Sequence, residues 1–269
     1  MNRFLIAAVV ALLPALLTAC GGNGGPSVHE EEVTYRDDGT RLEGFLAYDR
    51  HAEGPRPGVL VVHEWWGHNE HARNQARKLA ELGYTALALD MYGEGRVAEH
   101  PDKAGEFAGM VRQNRDLMLR RFRAAEAYLR DLPQTDADRM AAIGYCFGGS
   151  VVLEMARAGA DLEAVASFHG PLATDNPARE GEVEARILVL HGNEDPMVPP
   201  EQVEAFREEM EAAGVDYRFV GYDGATHSFT NPAADEAAER FDMPVGYNAE
   251  AAEAAWEELE RFLAETFDR

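Results

Sequence analysis

Residues Gly144-Tyr145-Cys146-Phe147-Gly148 leave the chain few ways to fold around them. Before them, Met140-Ala141-Ala142-Ile143 reads as a short buried strand. After them, Gly149-Ser150-Val151-Val152-Leu153-Glu154-Met155-Ala156 reads as a helix. The spacing predicts a sharp strand-to-helix turn with Cys146 at its apex. A side chain two residues before or after that apex would crowd the adjoining strand and helix, which accounts for glycine at 144 and 148. A cysteine so placed sits at a helix N-terminus, where the positive end of the helix dipole favours the thiolate.

Two more segments place polar residues at strand ends. Arg186-Ile187-Leu188-Val189-Leu190 reads as a strand, and the loop after it carries Asp195. Tyr217-Arg218-Phe219-Val220 reads as another, and the loop after it carries His227. Nucleophile, acid and histidine thus each follow a strand, in that order, at the edge where open α/β sheets hold their ligands. From Gly58 onward strands and helices alternate, which predicts a mostly parallel sheet. Helices are expected at about residues 71–82, 102–111, 115–132, 147–158, 200–213 and 249–267. In the last, Trp256, Leu259, Phe262 and Leu263 share a core face, while Glu250, Glu253, Glu257, Glu258 and Glu260 lie largely off it. Ahead of Gly58, residues 31–36 and 41–48 alternate polar and apolar around Asp38-Gly39, a hairpin signal. Residues 94–109 read as a small cap insertion. The sequence holds no internal repeat, Cys/His zinc cluster or phosphate-binding glycine loop, so no metal or cofactor is expected.

The 269 residues are 46% apolar, enough for one sizeable core, and a single α/β domain over 31–269 is the economical reading. With 48 acidic against 25 basic residues the net charge is −23. That excludes a nucleic-acid surface and charge-driven adsorption to anionic lipid. The N-terminus reads as a targeting segment: Asn2-Arg3 is a positive start, and residues 4–17 are apolar but for Pro14. The stretch is too short to span a membrane. With Leu17-Thr18-Ala19-Cys20 it resembles a bacterial lipoprotein signal, residues 1–19. That resemblance implies an acylated Cys20, a flexible linker over 20–30, and an exported protein held to the cell envelope by lipid alone. An ordinary secretory signal is the alternative. Of the two cysteines, Cys146 is then an unpaired thiol in an oxidising compartment.

Cys146 needs a base within hydrogen-bond reach. His227 is the first candidate. His191 and His169 compete, His191 as a packing residue and His169 as a wall of the site. Histidines 29, 51, 68, 71 and 100 read as solvent-exposed. Asp195 would orient the histidine ring, with Glu194 as the alternative, and Asp223 reads as a turn former. Glu64 follows the apolar strand Gly58-Val59-Leu60-Val61-Val62 and precedes Trp65 and Trp66, so its carboxylate is expected to be partly desolvated and able to exchange a proton with a thiol. Trp65, Trp66, Tyr92, Tyr145 and Phe147 are candidates for an apolar pocket wall.

Five ordered motifs together resemble the dienelactone hydrolase family, from about Val33 to the C-terminus. They are His63-Glu64-Trp65-Trp66-Gly67, Asp90-Met91-Tyr92-Gly93, Gly144-Tyr145-Cys146-Phe147-Gly148-Gly149, Asp195-Pro196 with Val198-Pro199, and Gly224-Ala225-Thr226-His227-Ser228-Phe229. The resemblance implies an α/β-hydrolase fold, helices on both faces of the sheet, and a Cys146–His227–Asp195 triad. That triad would cleave an ester, lactone or thioester through an acyl-enzyme. It implies an oxyanion hole from the backbone N–H groups of Phe147 and Trp65, and a Glu64 that contacts the resting nucleophile and helps to form the thiolate. The family's two carboxylate-holding arginines fall on Glu94 and Asn231 here, which leaves Arg96 as the substitute and makes neutral substrates the expected preference. Trp66 and Tyr92 would complete the substrate site of a monomer whose partner is a small molecule. The alternative from another class is a catalytically silent, envelope-anchored binding protein that keeps the fold.

Overall fold

The structure, a computed structural model, describes residues 27–268. The expected signal and Cys20 lie outside the described residues.

The chain opens with an antiparallel hairpin, β1 (Val28–Asp37) and β2 (Thr40–Asp49), turned at Asp38-Gly39. Then β3 (Arg56–Val62), α1 (Glu70–Glu81), β4 (Thr85–Leu89), α2 (Pro101–Arg112) and α3 (Arg115–Arg130) follow. Next come β5 (Thr135–Tyr145), α4 (Phe147–Arg157), β6 (Ala164–Phe168), β7 (Arg186–Gly192) and α5 (Pro200–Ala212). β8 (Tyr217–Tyr222), α6 (Ala234–Phe241) and α7 (Ala249–Phe267) complete it. The eight strands form one sheet in the order β1-β2-β4-β3-β5-β6-β7-β8. β2 meets β4 antiparallel, and every pairing from β4 to β8 is parallel. This is the mostly parallel sheet with an N-terminal hairpin that the sequence predicts.

Alternation along the strands splits the core in two. Leu60 and Val62 of β3 join Phe122 of α3, Val152 of α4 and Phe206 of α5 on one face. Val59 and Val61 join Leu79 of α1 and Leu259, Phe262 and Leu263 of α7 on the other. Strands covered on both faces read as continuous apolar runs, which is why β3 and β4 are so plain in the sequence. Asparagines at 69, 114 and 248 cap α1, α3 and α7 by accepting from His71, Leu117 and Ala251 N–H.

Three expectations change. β5 begins at Thr135, not near Met140; its polar start pairs with Arg56 and Pro57, and the register jumps so that Gly58 faces Met140. α2 buries Ala104, Ala108 and Val111, the last two in the main core, so only its final residue Arg112 and the turn before it rim the site and residues 101–109 are no cap. α6 follows the His227 loop in a stretch where no helix is expected from the sequence.

Candidate active site

Cys146 sits between β5 and α4 with φ +51° and ψ −114°, a strained conformation for a residue with a side chain. The glycines around it are obligatory. A Cβ on Gly144 would lie 2.1 Å from the Gly148 carbonyl oxygen, and one on Gly148 would lie 2.3 Å from that of Val62. The loops after β7 and β8 bring Asp195 and His227 to the same edge. His227 Nε2 is 3.1 Å from Cys146 Sγ, and His227 Nδ1 is 2.7 Å from Asp195 Oδ2. The other carboxylate oxygen of Asp195 accepts from Met197 N–H at 2.8 Å. All three side chains are buried. Burial opposes a charge on His227, but the electrostatic pull of Cys146 and the bonds from Asp195 and Cys146 outweigh it and push the ring up to about 10.

The N–H groups of Phe147 and Trp65 donate to no other group among the described residues. Phe147 begins α4, where backbone donors are free by construction. Trp65 is held by a different device. His63, fully buried at the end of β3, accepts from Met91 N–H through Nε2 at 3.2 Å. Its Nδ1 therefore carries the proton and donates to the Glu64 carbonyl at 2.6 Å. Burial pushes this ring's pKa down, which keeps it neutral. Gly67 N–H adds a second bond to the same oxygen at 3.1 Å. Across a trans peptide the Glu64 carbonyl and the Trp65 N–H point opposite ways, so fixing one aims the other. Tyr92 Oη donates to the Trp65 carbonyl at 2.9 Å and locks the next peptide as well.

That contact revises the place of Tyr92. It is fully buried beneath Trp65 and lines no part of the cavity over the nucleophile. Arg96 is also absent from that lining; it turns outward to Glu94 at 3.0 Å and is exposed. Trp65 and Trp66 do line the cavity, which measures about 460 Å³ and opens over Cys146 and His227. Its far wall is α6, whose Phe241 packs on Trp66 at 6.1 Å. Arg112 and Arg240, at the ends of α2 and α6, reach the cavity without having been singled out in the sequence. No local motif marks them, because only the packing of α2 and α6 brings them there.

Glu64 is 1% exposed, and its Oε2 accepts from Asn231 Nδ2 at 2.5 Å, while Oε1 is buried without a partner. The expected contact of Glu64 with the resting nucleophile is not made; Cys146 Sγ bonds to His227 instead. His169 packs edge-on to His227 at 5.4 Å and bonds Thr230 Oγ1 through Nε2, while burial drives its pKa well down. His191 packs on Phe219, and burial lowers it too. His68 is buried rather than exposed, its pKa pushed down to about 3 by desolvation. His71 is half-buried, its ring edge-on to Tyr145. Among the described residues no His, Cys, Asp and Glu cluster suits a metal ion.

Known proteins agree with this architecture. Residues 42–267 match the sequence profile of the Dienelactone hydrolase family. A Yersinia pestis protein named "Putative carboxymethylenebutenolidase" is 27% identical over 241 residues, 86% of each chain. Protein usf of Aquifex pyrophilus is 29% identical over 210 residues, 76% of this chain and 88% of its own. Among solved structures, a dienelactone hydrolase-like promiscuous phosphotriesterase from metagenomic libraries is 36% identical, covers 89% of this chain and 98% of its own, and superposes with a TM-score of 0.82. A dienelactone hydrolase-type structure from Klebsiella pneumoniae, 24% identical over 88% of this chain and 99% of its own, shares the fold with a TM-score of 0.75. With the profile matched over nearly all of the described residues, the chain belongs to the dienelactone hydrolase family of ester-bond hydrolases.

Proposed function

We propose that the chain cleaves a carboxylic ester, lactone or thioester of a small molecule through Cys146, His227 and Asp195. The observation that carries this reading is the unbroken chain of contacts from Asp195 Oδ2 through the His227 ring to Cys146 Sγ, at 2.7 and 3.1 Å, under an open cavity. A silent binding protein has no need of a strained cysteine aligned on a buried, charged histidine.

The chemistry follows from the geometry. Cys146 attacks the carbonyl carbon as a thiolate, and the electron pair moves to the carbonyl oxygen. The Phe147 and Trp65 N–H groups receive that oxyanion. The intermediate collapses, and the leaving group departs with the proton of His227 Nε2. Water, deprotonated by His227, then attacks the acyl-enzyme; the carbon–sulfur bond breaks and returns Cys146 as thiolate and His227 as imidazolium. Asp195 holds the ring in register throughout. Glu64 stands beside the site as a buried carboxylate held by Asn231. The name of the Yersinia pestis relative favours lactones among the substrates. Export and anchoring through an acylated Cys20 belong to the same proposal, supported by the lipoprotein-like start of the sequence.

The test is a panel of aryl esters, lactones and thioesters, run on protein lacking residues 1–20 and on its Cys146→Ala variant. Turnover on one class that disappears in the variant is expected. Turnover that survives in the variant would move the nucleophile elsewhere.

A further inference from the structure

Helix α6 builds the far wall of the cavity, yet it has little packing of its own. It is eight residues long, and Ala234 is its one buried residue. So short a helix does not hold itself together in water. Its ends hold it instead, and both are tied to the loop that carries His227. Before it, Asn231 N–H donates to the Ser228 carbonyl at 2.9 Å, and the Asn231 side-chain oxygen accepts from Ala233 N–H at 3.0 Å. After it, Gly246 N–H donates to the His227 carbonyl at 3.1 Å, and Asn248 N–H donates to that of Phe229 at 3.0 Å. The wall and the base therefore share one support.

Two contacts tie this support to the loop after β3. Asn231 Nδ2 donates to Glu64 Oε2 at 2.5 Å, and Phe241, the last residue of α6, packs on Trp66. Asn231 thus joins the wall, the His227 loop and the residue before Trp65, and its amide brings no charge into the cavity. The charged residues of the lining cancel: Glu99 and Glu236 stand against Arg112 and Arg240, all four exposed. Trp66, Phe241, Met243 and Val245 line the same space and are only half-buried, and Met197 is 45% exposed. Large apolar side chains with surface left uncovered over a nucleophile suit an apolar group and penalise an unpaired charge.

We infer that α6 is the wall that selects the substrate, a neutral ester whose bulky apolar group lies against Phe241 and Trp66, and that Asn231, through Glu64, is the positioning residue that fixes this wall. The inference rests on the hydrolase reading and supplies its substrate class. Phe241 determines specificity by contact, whereas Asn231 acts through the placement of α6. The apolar group belongs to either the acyl or the alcohol part of the ester, since both meet at the carbonyl over Cys146.

The experiment measures kcat/KM on two series of neutral esters. In one the acyl group of an aryl ester grows from acetyl to phenylacetyl; in the other the alcohol of an acetate grows from methyl to benzyl. A carboxylate-bearing counterpart of each bulky ester is added. The wild type is expected to favour the bulky over the small ester by about tenfold or more in one series, which identifies the part that meets α6, and to disfavour the carboxylate counterpart. Phe241→Ala, at the end of a helix with one buried residue, leaves the core intact and should cut that ratio several-fold, chiefly through the KM of the bulky ester. Phe241→Leu should keep part of it. Asn231→Asp sets a carboxylate against Glu64 and should also lower the ratio. Glu64→Gln/Asn231→Asp, in which amide and carboxylate exchange sides, should recover it, while Arg36→Gln in the β1–β2 hairpin leaves it unmoved. A flat ratio in both series, a preference for the carboxylate esters, or a ratio unmoved by Phe241→Ala overturns the inference and leaves the hydrolase standing. A ratio unmoved by Asn231→Asp, or a loss that the exchange does not recover, refutes the role of Asn231. If no ester is turned over, the hydrolase reading fails, and the wall is read by calorimetry with neutral aryl alkyl ketones of the same sizes. Tighter binding of the bulky ketone, weakened in Phe241→Ala but not in Arg36→Gln, then supports it, and absent or unchanged binding refutes it.

Discussion

At the scale of single residues, the site depends on where one proton sits. His227 is pushed up to about 10 because Cys146 and Asp195 both draw charge onto it against the cost of burial. The imidazolium that protonates the leaving group therefore persists through neutral pH, and kcat/KM should fall as pH rises through about 10. Cys146→Ser removes the sulfur whose pull offsets the burial of His227. Burial then dominates, the ring works only as a neutral base, and the residual activity should instead be lost on the acid side. That activity should lie about 10²–10⁴-fold below wild type. pH–rate profiles of the two proteins check the inversion; parallel profiles would contradict it. His63 permits a second prediction. If its Nδ1–H aims the Trp65 N–H by holding the Glu64 carbonyl, His63→Leu should lower kcat by about 10²-fold, the scale of one oxyanion donor, with KM nearly unchanged. His63→Asn, whose amide can reach the same carbonyl, should recover part of the loss. A variant pair with equal kcat would leave His63 as packing only.

Elements were legible where their own sequence pays for their burial. α1, expected at 71–82, spans Glu70–Glu81 because Ala72, Ala76, Leu79 and Ala80 recur on one face. α6 was not legible: Ala234 is its one buried residue, and what it faces is the cavity. The polar start of β5 was hidden for the same reason, since backbone pairing rather than side-chain pattern places it. In the site, the convergence of Cys146, Asp195 and His227 was legible because each follows its own strand. The burial of Tyr92 and the outward turn of Arg96 were not, because tertiary contacts alone decide them. The elbow itself gives a prediction at this scale. A Cβ at 148 has nowhere to go beside the Val62 carbonyl, so Gly148→Ala should destabilise the fold by about 2 kcal/mol or more. Denaturant titration measures it; a change under about 0.5 kcal/mol, the usual bound for a harmless surface change, would contradict the packing account.

At the scale of the molecule, an acidic body carries one chemically committed edge, and its N-terminal segment is read as a lipid tether. Among the described residues no helix is long and apolar enough to cross a membrane. The proposed anchor is an acylated Cys20. Cys20→Ala should release the protein from the membrane fraction with esterase activity intact, as fractionation after a salt wash will show; a variant that still sediments contradicts the anchor. The central claim is that Cys146 takes the acyl group. Its most direct test is intact-protein and peptide mass spectrometry of an acid-quenched reaction with an activated aryl acetate. The account predicts one added acetyl group, on Cys146 alone, decaying at the rate of steady turnover and absent from Cys146→Ala. Turnover with no acyl group on Cys146, or with the group on another residue such as Ser150, would contradict it.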